Sequence, residues 1–126
     1  MARPLIYIAG PFRAATPYEI ERNIRRAEDY GLWVAEQGGI PVIPHTMYRF
    51  YQYSLPDAFW LEAGIAILRT CAAVAVCVDQ ECAQSSFGTV GEIGEAADRA
   101  MPVFFNIGDQ RIRFENWIAK YIERHT

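Results

Sequence analysis

The sequence predicts an α/β protein with an open, mostly parallel sheet. Four short apolar segments alternate with four segments of helical periodicity along the chain, which is the pattern of strands joined by helical crossovers. The 126 residues are 52% hydrophobic, so one domain of this length can bury a core. No linker, internal repeat or low-complexity tract divides the chain, and residues 1–126 are therefore predicted to form a single domain.

The first half of the chain contains two predicted strands and the helix between them. Strand one is expected over residues 5–9, and helix one begins at Pro17, a residue that suits a first helical turn. Gly38-Gly39 ends this helix, and strand two follows over 40–43, where Pro41 indicates either an edge position or the start of a strand. Apolar residues at helical spacing predict the buried face of helix one: Ile20, Ile24, Ala27, Gly31 and Val34.

Residues 44–56 are predicted to form a long irregular segment that is rich in aromatic side chains. Segments of this length in compact domains act as lids, binding loops or partner contacts. Helix two is predicted over 57–70, with Asp57 as its N-cap and with apolar residues on two faces. Because a helix with two apolar faces needs a second partner, we expect a homo-oligomer, a dimer or larger.

The second half of the chain repeats the alternation, with strand three over 73–78 and strand four over 102–105. Helix three is predicted over 89–99 and helix four over 111–124. The residues expected to be buried are Val90, Ile93, Ala97 and Ala100 on helix three, and Phe114, Trp117, Ile118 and Tyr121 on helix four. Right-handed crossovers would place strands one and three side by side, with a ligand crevice above their carboxyl ends.

The charge balance argues against polyanionic partners. The chain has 12 basic and 15 acidic residues, a net charge of −3, which predicts neither a nucleic acid polymer nor an anionic membrane as partner. The arginines Arg22, Arg25 and Arg26 alternate with carboxylates, which is typical of a solvated helix face.

Three cysteines without CxxC spacing and two histidines predict no disulfide framework and no metal centre. No apolar run approaches a membrane span, and the residues from Met1 to Pro4 lead into a strand and do not resemble a signal peptide. These features predict a cytoplasmic protein.

The segment from Ser85 to Ala97, which follows strand three, is the most informative part of the chain. Its hydroxyls and free backbone N–H groups would lie at a helix N-terminus, where anions and sugar hydroxyls bind. Glu92 would lie in the first turn of that helix. Such a carboxylate is expected to stay ionised at neutral pH, which suits a nucleophile.

A structural explanation of Glu92 is also open. Thr89 and Glu92 have the spacing of a capping box, in which Thr89 would be the N-cap and Glu92 would reach back to its N–H. Two glycines favour a binding role, because Gly91 and Gly94 each weaken a helix by about 1 kcal/mol relative to alanine. They would be explained by the close approach of a ligand or of a neighbouring backbone.

The other wall of the crevice is expected from Gly10-Pro11-Phe12-Arg13 after strand one, although Gly10-Pro11 could simply form a turn. Tyr7 alternates with Ile6 and Ile8, so its hydroxyl can reach the crevice. The glycines at 88, 91 and 94 do not form the dinucleotide fingerprint, which argues against a nicotinamide-dependent dehydrogenase. The loop after strand one lacks the hydroxyl-rich pattern expected of a flavodoxin-like electron carrier, and we predict no cofactor.

Three segments of the chain together resemble the nucleoside 2-deoxyribosyltransferase superfamily, including its 2′-deoxynucleoside 5′-phosphate N-hydrolase branch. The resemblance extends from Tyr7 to about Val103, and it implies a flavodoxin-like, or Rossmann-like, three-layer sandwich with four or five strands. It also implies a homo-oligomer and the cleavage of an N-glycosidic bond. The three segments are Tyr7-Ile8-Ala9-Gly10-Pro11-Phe12, residues 39–45 and residues 86–96.

The resemblance implies roles for particular residues. Glu92 would attack C1′ of the sugar and form a covalent glycosyl-enzyme, and Tyr7 would orient it. A second nucleobase in a transferase, or water in a hydrolase, would then release the sugar. Ser86 stands where the transferases have an aspartate, as in the nucleotide hydrolases, where the serine contacts the 5′-phosphate.

The same resemblance predicts the remaining binding residues. The phosphate or substrate would be held by Gly10, Pro11, Phe12, Arg13, His45, Gly88 and Thr89 together with Ser86, which favours a nucleoside monophosphate. His45 could instead satisfy loop carbonyls, and the aromatic segment could stack on a base or pack between subunits. The family's base-handling aspartate has no clean counterpart; of Asp57 and Glu62, we prefer Glu62. The alternative function is a non-catalytic nucleotide-binding or sensor module of the same fold.

Overall fold

The centre of the sheet is the strand that the sequence makes apolar on both faces. β1 (Leu5–Ala9) buries Ile6, Tyr7, Ile8 and Ala9 completely, as expected for a parallel strand covered on both sides. The computed structural model describes residues 3–126 and confirms the α/β class. Over that range the sheet has four strands, all parallel, in the order β2 (Ile40–Val42), β1, β3 (Ala73–Val76), β4 (Val103–Phe105).

Helices cover both faces of this sheet and complete a three-layer sandwich. They are α1 (Pro17–Glu36), α2 (Pro44–Tyr51), α3 (Asp57–Leu68), α4 (Gln80–Gln84), α5 (Phe87–Asp98) and α6 (Gly108–Arg124). α1 meets α6 through Trp33 and Phe114, whose ring centroids are 5.5 Å apart. α3 and α5 pack against each other. The flavodoxin-like fold class predicted for the chain is thus confirmed.

The topological switch point lies between β1 and β3, which are neighbours as predicted. Ala9 pairs with Val76 at their carboxyl ends. The chain leaves β1 at Gly10 and reaches α1, whereas it leaves β3 toward α4 and α5. A crevice therefore opens where the two connections separate, which is where open α/β sheets bind ligands.

The first two strands and α1 agree with the sequence prediction. β2 is an edge strand, and the predicted stripe of α1 is buried, with Tyr30 in addition. The prediction of an irregular segment over 44–56 is wrong, because residues 44–51 form α2. Pro44 starts this helix, since its fixed φ suits the first turn, and His45 and Tyr48 then share a helical face. The aromatic content of the segment obscured that spacing.

The predicted N-cap of α3 is wrong, and one short helix was not predicted. Asp57 is not an N-cap; Pro56 holds that position, and Asp57 lies in the first turn of α3, which ends at Leu68. The sequence also missed α4, in which Asp79 caps the helix by accepting a hydrogen bond from the Cys82 N–H at 2.8 Å.

The helix that carries Glu92 differs most from its prediction. α5 begins at Phe87, and its N-cap is Ser86. It buries Thr89 and Ala96, whereas Val90 is 48% exposed and Ala97 and Ala100 are exposed. The buried face is turned by about one residue, or roughly 100°, because a threonine faces the core where the apolar pattern predicted a valine. On α6, Phe114 and Ile118 are buried as predicted, whereas Trp117 and Tyr121 are only half-buried.

Within residues 3–126, no helix is long and apolar enough to cross a bilayer. Met1 and Ala2, which entered the prediction that no signal peptide is present, lie outside the described residues.

Candidate active site

A pocket of about 440 Å³ opens at the carboxyl ends of β1 and β3. We call it the glutamate pocket. Four stretches of chain line it: Tyr7 to Arg13, the first half of α2, one face of α3, and residues 85–92. Every residue that the sequence analysis assigned to a site lies in its wall except Glu62.

Glu92 and Tyr7 meet inside this pocket. Tyr7 is completely buried, and its hydroxyl donates a hydrogen bond to the Glu92 carboxylate across 85 positions of sequence. The capping-box interpretation of Glu92 is therefore wrong. Ser86 caps the helix, and the Glu92 side chain is turned toward β1 and away from its own helix N-terminus.

The protonation of this pair also differs from the prediction. Burial raises the pKa of Glu92 to about 7, and the hydrogen bond from Tyr7 only partly opposes this rise. The expected full ionisation of Glu92 at neutral pH was wrong because the carboxylate is buried. The earlier start of α5 also removes the dipole effect that the prediction relied on. Glu92 lies in the second turn, beyond the reach of the helix dipole. Burial, followed by the nearby Glu92 charge, raises the pKa of Tyr7 far above its usual value and keeps the phenol protonated.

Gly64 of α3 makes room for this pair, and the sequence analysis missed it. A Cβ atom at Gly64 would lie 3.0 Å from the Tyr7 hydroxyl, 3.1 Å from the Tyr48 hydroxyl and 3.4 Å from Oε2 of Glu92. Three polar groups thus converge on a position without a side chain. A glycine inside an apolar helix was the available signal, because it costs helix stability and calls for a packing reason.

Tyr48 is the second residue that the analysis did not assign to the site. Its hydroxyl donates to the Trp60 carbonyl at 3.1 Å, and its ring meets Phe12 edge-on with centroids 5.2 Å apart. Burial and the charge of Glu92 raise the pKa of Tyr48 to about 12. The hydroxyl is therefore a permanent donor at neutral pH, beside the carboxylate.

His45 holds the loop after β1 in place. Its Nε2 donates to the carbonyls of Gly10 at 3.1 Å and Pro11 at 3.2 Å, which is the loop-carbonyl role considered in the sequence analysis. Burial lowers the pKa of His45, so the ring is neutral at pH 7. Its Nδ1 is buried without a partner among residues 3–126.

Ser86 and the first turn of α5 present donors to the pocket. The Ser86 Oγ accepts hydrogen bonds from the Thr89 hydroxyl at 2.8 Å and from the Thr89 N–H at 3.4 Å, which leaves its own proton free to donate. The N–H groups of Phe87 and Gly88 have no acceptor in the described part of the chain. Donors arranged in this way at a helix start suit an anion.

Arg13 and Asp57 form an ion pair at the pocket wall. Their side chains are 45% and 68% exposed, so the pair adds little stability, but it does neutralise part of the positive charge expected from Arg13. Glu62 is exposed and lies outside the pocket wall. It is offset by about 100° around α3 from Leu61, which does line the pocket, so the structure brings Asp57 to the site in place of Glu62.

The two glycines of α5 are not explained by a neighbouring backbone. A Cβ at Gly91 or Gly94 would meet nothing within 4 Å, so that part of the prediction is wrong. Gly91 lines the pocket, whereas Gly94 does not.

The aromatic segment divides between two environments. Tyr48 and Trp60 line the pocket, with ring centroids 5.5 Å apart. Phe50, Tyr51 and Tyr53 are 82%, 55% and 77% exposed. The pocket rings are placed where a base could stack, and the exposed rings where a second subunit could pack.

Fold and site together define a class: an α/β protein of flavodoxin-like topology with a tyrosine–glutamate pair in a pocket at its switch point. Residues 4–106 match the family described as a domain of unknown function, DUF7768. The match spans most of the chain and every residue of the glutamate pocket, and the chain belongs to this family. No curated protein matches it.

Proposed function

We propose that this protein is an N-glycosidase that acts on (deoxy)nucleoside 5′-monophosphates or nucleosides through a covalent glycosyl–Glu92 intermediate. A hydrolase is favoured over a transferase to another base. The observation that carries the proposal is the contact between the Tyr7 hydroxyl and the Glu92 carboxylate in an open pocket. The hydrogen bond from Tyr7 orients the Glu92 carboxylate, and the pocket leaves the carboxylate room to meet a substrate.

In the proposed first step, an ionised Glu92 oxygen bonds to C1′ while the C1′–N bond breaks. The electron pair of that bond leaves with the base, which takes up a proton. Water then attacks C1′, loses a proton and releases the carboxylate, with retention of configuration. Tyr7 donates a hydrogen bond to a Glu92 oxygen in both steps. Its raised pKa keeps the phenol protonated, so that the negative charge stays on Glu92 before the attack.

The substrate phosphate is assigned to the start of α5. The Ser86 hydroxyl and the N–H groups of Phe87 and Gly88 offer donors there, and a phosphate is attracted to a helix N-terminus. Thr89 supports Ser86 from the buried side. The Arg13 guanidinium is available only in part, because Asp57 shares it.

The base is assigned to the opposite end, near Trp60 and Tyr48, whose rings line the pocket. Asp57 replaces Glu62 in the proposal as the carboxyl group that can handle the leaving base, since Asp57 alone of the two reaches the pocket.

The experiment is to incubate the protein with each deoxynucleoside 5′-monophosphate and to follow free base by chromatography. We expect base release by the parent protein and a loss of about 10³-fold or more in Glu92→Gln, which removes the nucleophile but keeps its volume and its acceptor for Tyr7. Glu115→Gln, an exposed change on α6, is the matched control and should leave the rate unchanged. Base release that persists in Glu92→Gln would reject the mechanism.

A second base added to the same reaction separates transferase from hydrolase, because only a transferase forms a new nucleotide. The alternative function, a non-catalytic nucleotide-binding module, predicts binding of the monophosphate with no base released by any variant. The ion pair between Asp57 and Arg13 favours this alternative, because it engages the pocket carboxyl group proposed to handle the base.

A homo-oligomer and a cytoplasmic location are parts of the same proposal. Apolar side chains that are about half exposed support the oligomer: Phe59 and Leu61 on α3, and Val90 on α5. Light scattering coupled to size-exclusion chromatography tests it, and a mass of one chain would reject it.

A further inference from the structure

A second pocket, of about 520 Å³, lies between α1 and α6. It shares no residue with the wall of the glutamate pocket. Four arginines line it, Arg22, Arg25 and Arg26 from α1 and Arg111 from α6, with Asp29 as the carboxylate among them. We call it the arginine pocket. Four positive charges against one negative charge gather here in a chain whose net charge is −3.

The three arginines of α1 are exposed, as predicted, but the carboxylates of α1 do not neutralise all of them. Arg49 of α2 binds Glu21 at 3.0 Å and Glu28 at 2.8 Å, which turns both carboxylates toward α2. Arg25 keeps a contact of 3.2 Å with Glu21. In the range 3–126, the other three arginines of the pocket have no ion pair with any carboxylate.

A buried hydroxyl in the same pocket lacks a partner. Tyr30 is 7% exposed and lines the pocket, and its hydroxyl makes no hydrogen bond within the described residues. Burial raises its pKa to about 12, against the effect of the nearby Arg111 charge, so the phenol keeps its proton. A buried polar group without a partner destabilises the fold, and a ligand oxygen that accepted its hydrogen bond would remove that cost.

The aromatic rings of the pocket position an arginine. The Arg111 guanidinium lies over the Trp33 ring, 4.8 Å from its centroid, and Tyr30 stacks on Trp33 with centroids 5.1 Å apart. Trp33 therefore holds Arg111 by a cation–π contact. The other polar side chains in the wall are Arg22, Arg25, Arg26 and Tyr30, with Asp29, Cys77 and Asn106 beside them.

We propose that the arginine pocket binds a small anion that carries a phosphate or pyrophosphate group, with Arg22, Arg26, Arg111 and the Tyr30 hydroxyl as its donors. Guanidinium groups match phosphate oxygens two at a time. The net negative charge of the chain opposes a long polyanion, which favours a small molecule. This proposal does not depend on the proposed glycosidase activity.

Inorganic pyrophosphate is the probe, and its binding is measured by titration calorimetry at fixed ionic strength. We expect saturable binding by the parent protein. The double variant Arg22→Gln/Arg26→Gln should bind at least about tenfold more weakly, because it removes two charged hydrogen-bond donors to the phosphate oxygens. The matched control is Arg113→Gln, an exposed arginine of α6 outside the pocket, which should bind within about twofold of the parent.

Tyr30→Phe separates a binding hydroxyl from a structural one. Because the hydroxyl has no protein partner, we expect the free variant to melt at the same temperature as the parent or higher, while its pyrophosphate affinity falls about five- to tenfold. A lower melting temperature with unchanged affinity would assign the hydroxyl to the fold and overturn its role.

Further results of two kinds would overturn the site itself. One is the absence of saturable binding by the parent, or an equal loss in Arg113→Gln, which would show only a response to net charge. The other is binding that is lost in Ser86→Ala but kept in the double arginine variant, which would place the anion in the glutamate pocket.

Discussion

The two pockets treat charge in opposite ways. The glutamate pocket removes a carboxylate from water, ties it to a buried phenol and raises its pKa to about 7. The arginine pocket leaves its guanidiniums at the surface, and only one of them, Arg25, has a carboxylate partner in the described range. Burying the Glu92 carboxylate lowers the free energy of unfolding, whereas the guanidiniums of the arginine pocket stay in contact with water.

Their construction differs in the same sense. The glutamate pocket joins β1, α2, α3 and the start of α5, so each side chain is positioned by tertiary packing. Three of the four arginines of the other pocket come from one helix at neighbouring positions. A site assembled from distant segments can desolvate and orient a reacting group, whereas a face of one helix offers charge for binding.

The most direct test of this difference is to neutralise one charge in each pocket and to measure the free energy of unfolding. The unfolded chain carries Glu92 with a pKa near 4.5, and folding raises it to about 7. The parent therefore loses stability as pH rises through this interval, by about 3 kcal/mol in all. Glu92→Gln escapes that loss, so we expect it to be more stable than the parent by up to about 3 kcal/mol at pH 8, and equal to it near pH 4.

Arg26→Gln is the matched change in the arginine pocket. Because Arg26 is exposed, its substitution should alter the free energy of unfolding by less than about 0.5 kcal/mol at either pH. Urea unfolding at pH 4 and pH 8 measures the free energy of unfolding of the parent and of the two variants. A gain for Glu92→Gln that does not grow with pH would contradict the assigned burial of the carboxylate.

The same distinction explains how much the sequence could predict. The edge position of β2 was predicted from Pro41 and the buried stripe of α1 from its apolar spacing, and both are confirmed. The pairing of β1 with β3 is confirmed as well. The meeting of Gly10–Arg13 with the loop before α5 follows from topology alone, because parallel strands one and three bring their carboxyl ends together.

The rest depended on tertiary contacts that no local pattern carries. The buried face of α5 was predicted wrongly because Thr89, a polar residue, faces the core. Its hydroxyl is satisfied there by a hydrogen bond to Ser86. The pKa of Glu92 could not be predicted, since it depends on burial beside Tyr7, 85 positions away. Gly64 and Tyr48 stood in the sequence without a motif around them.

A second test contrasts a glycine that packs against the reacting pair with one that meets nothing. Gly64→Ala places a methyl group 3.0 Å from the Tyr7 hydroxyl and 3.1 Å from the Tyr48 hydroxyl, so these hydroxyls must shift by a few tenths of an ångström beside Glu92. We expect base release to fall about tenfold or more, since small displacements of reacting groups are costly. Gly94→Ala fills open space and should keep the rate while stabilising α5 by about 0.5–1 kcal/mol. Equal rates in the two variants, measured by chromatography beside their unfolding curves, would refute the assigned packing.

The smallest expected effect comes from Tyr7→Phe, and it tests how the glutamate pocket sets its own charge. Because Glu92 must be ionised to attack, the rate of base release should rise through a midpoint near pH 7 in the parent. The Tyr7 hydroxyl stabilises the ionised carboxylate by a hydrogen bond, so its removal should move the midpoint upward by about one pH unit and reduce the rate at pH 7 about fivefold. The rate at pH 9 should recover most of the loss, since the carboxylate is then ionised in both proteins. Tyr18→Phe, on an exposed tyrosine of α1, is the control and should leave the profile unchanged. A uniform loss at every pH, with the midpoint unmoved, would mean that Tyr7 positions the carboxylate without tuning its ionisation.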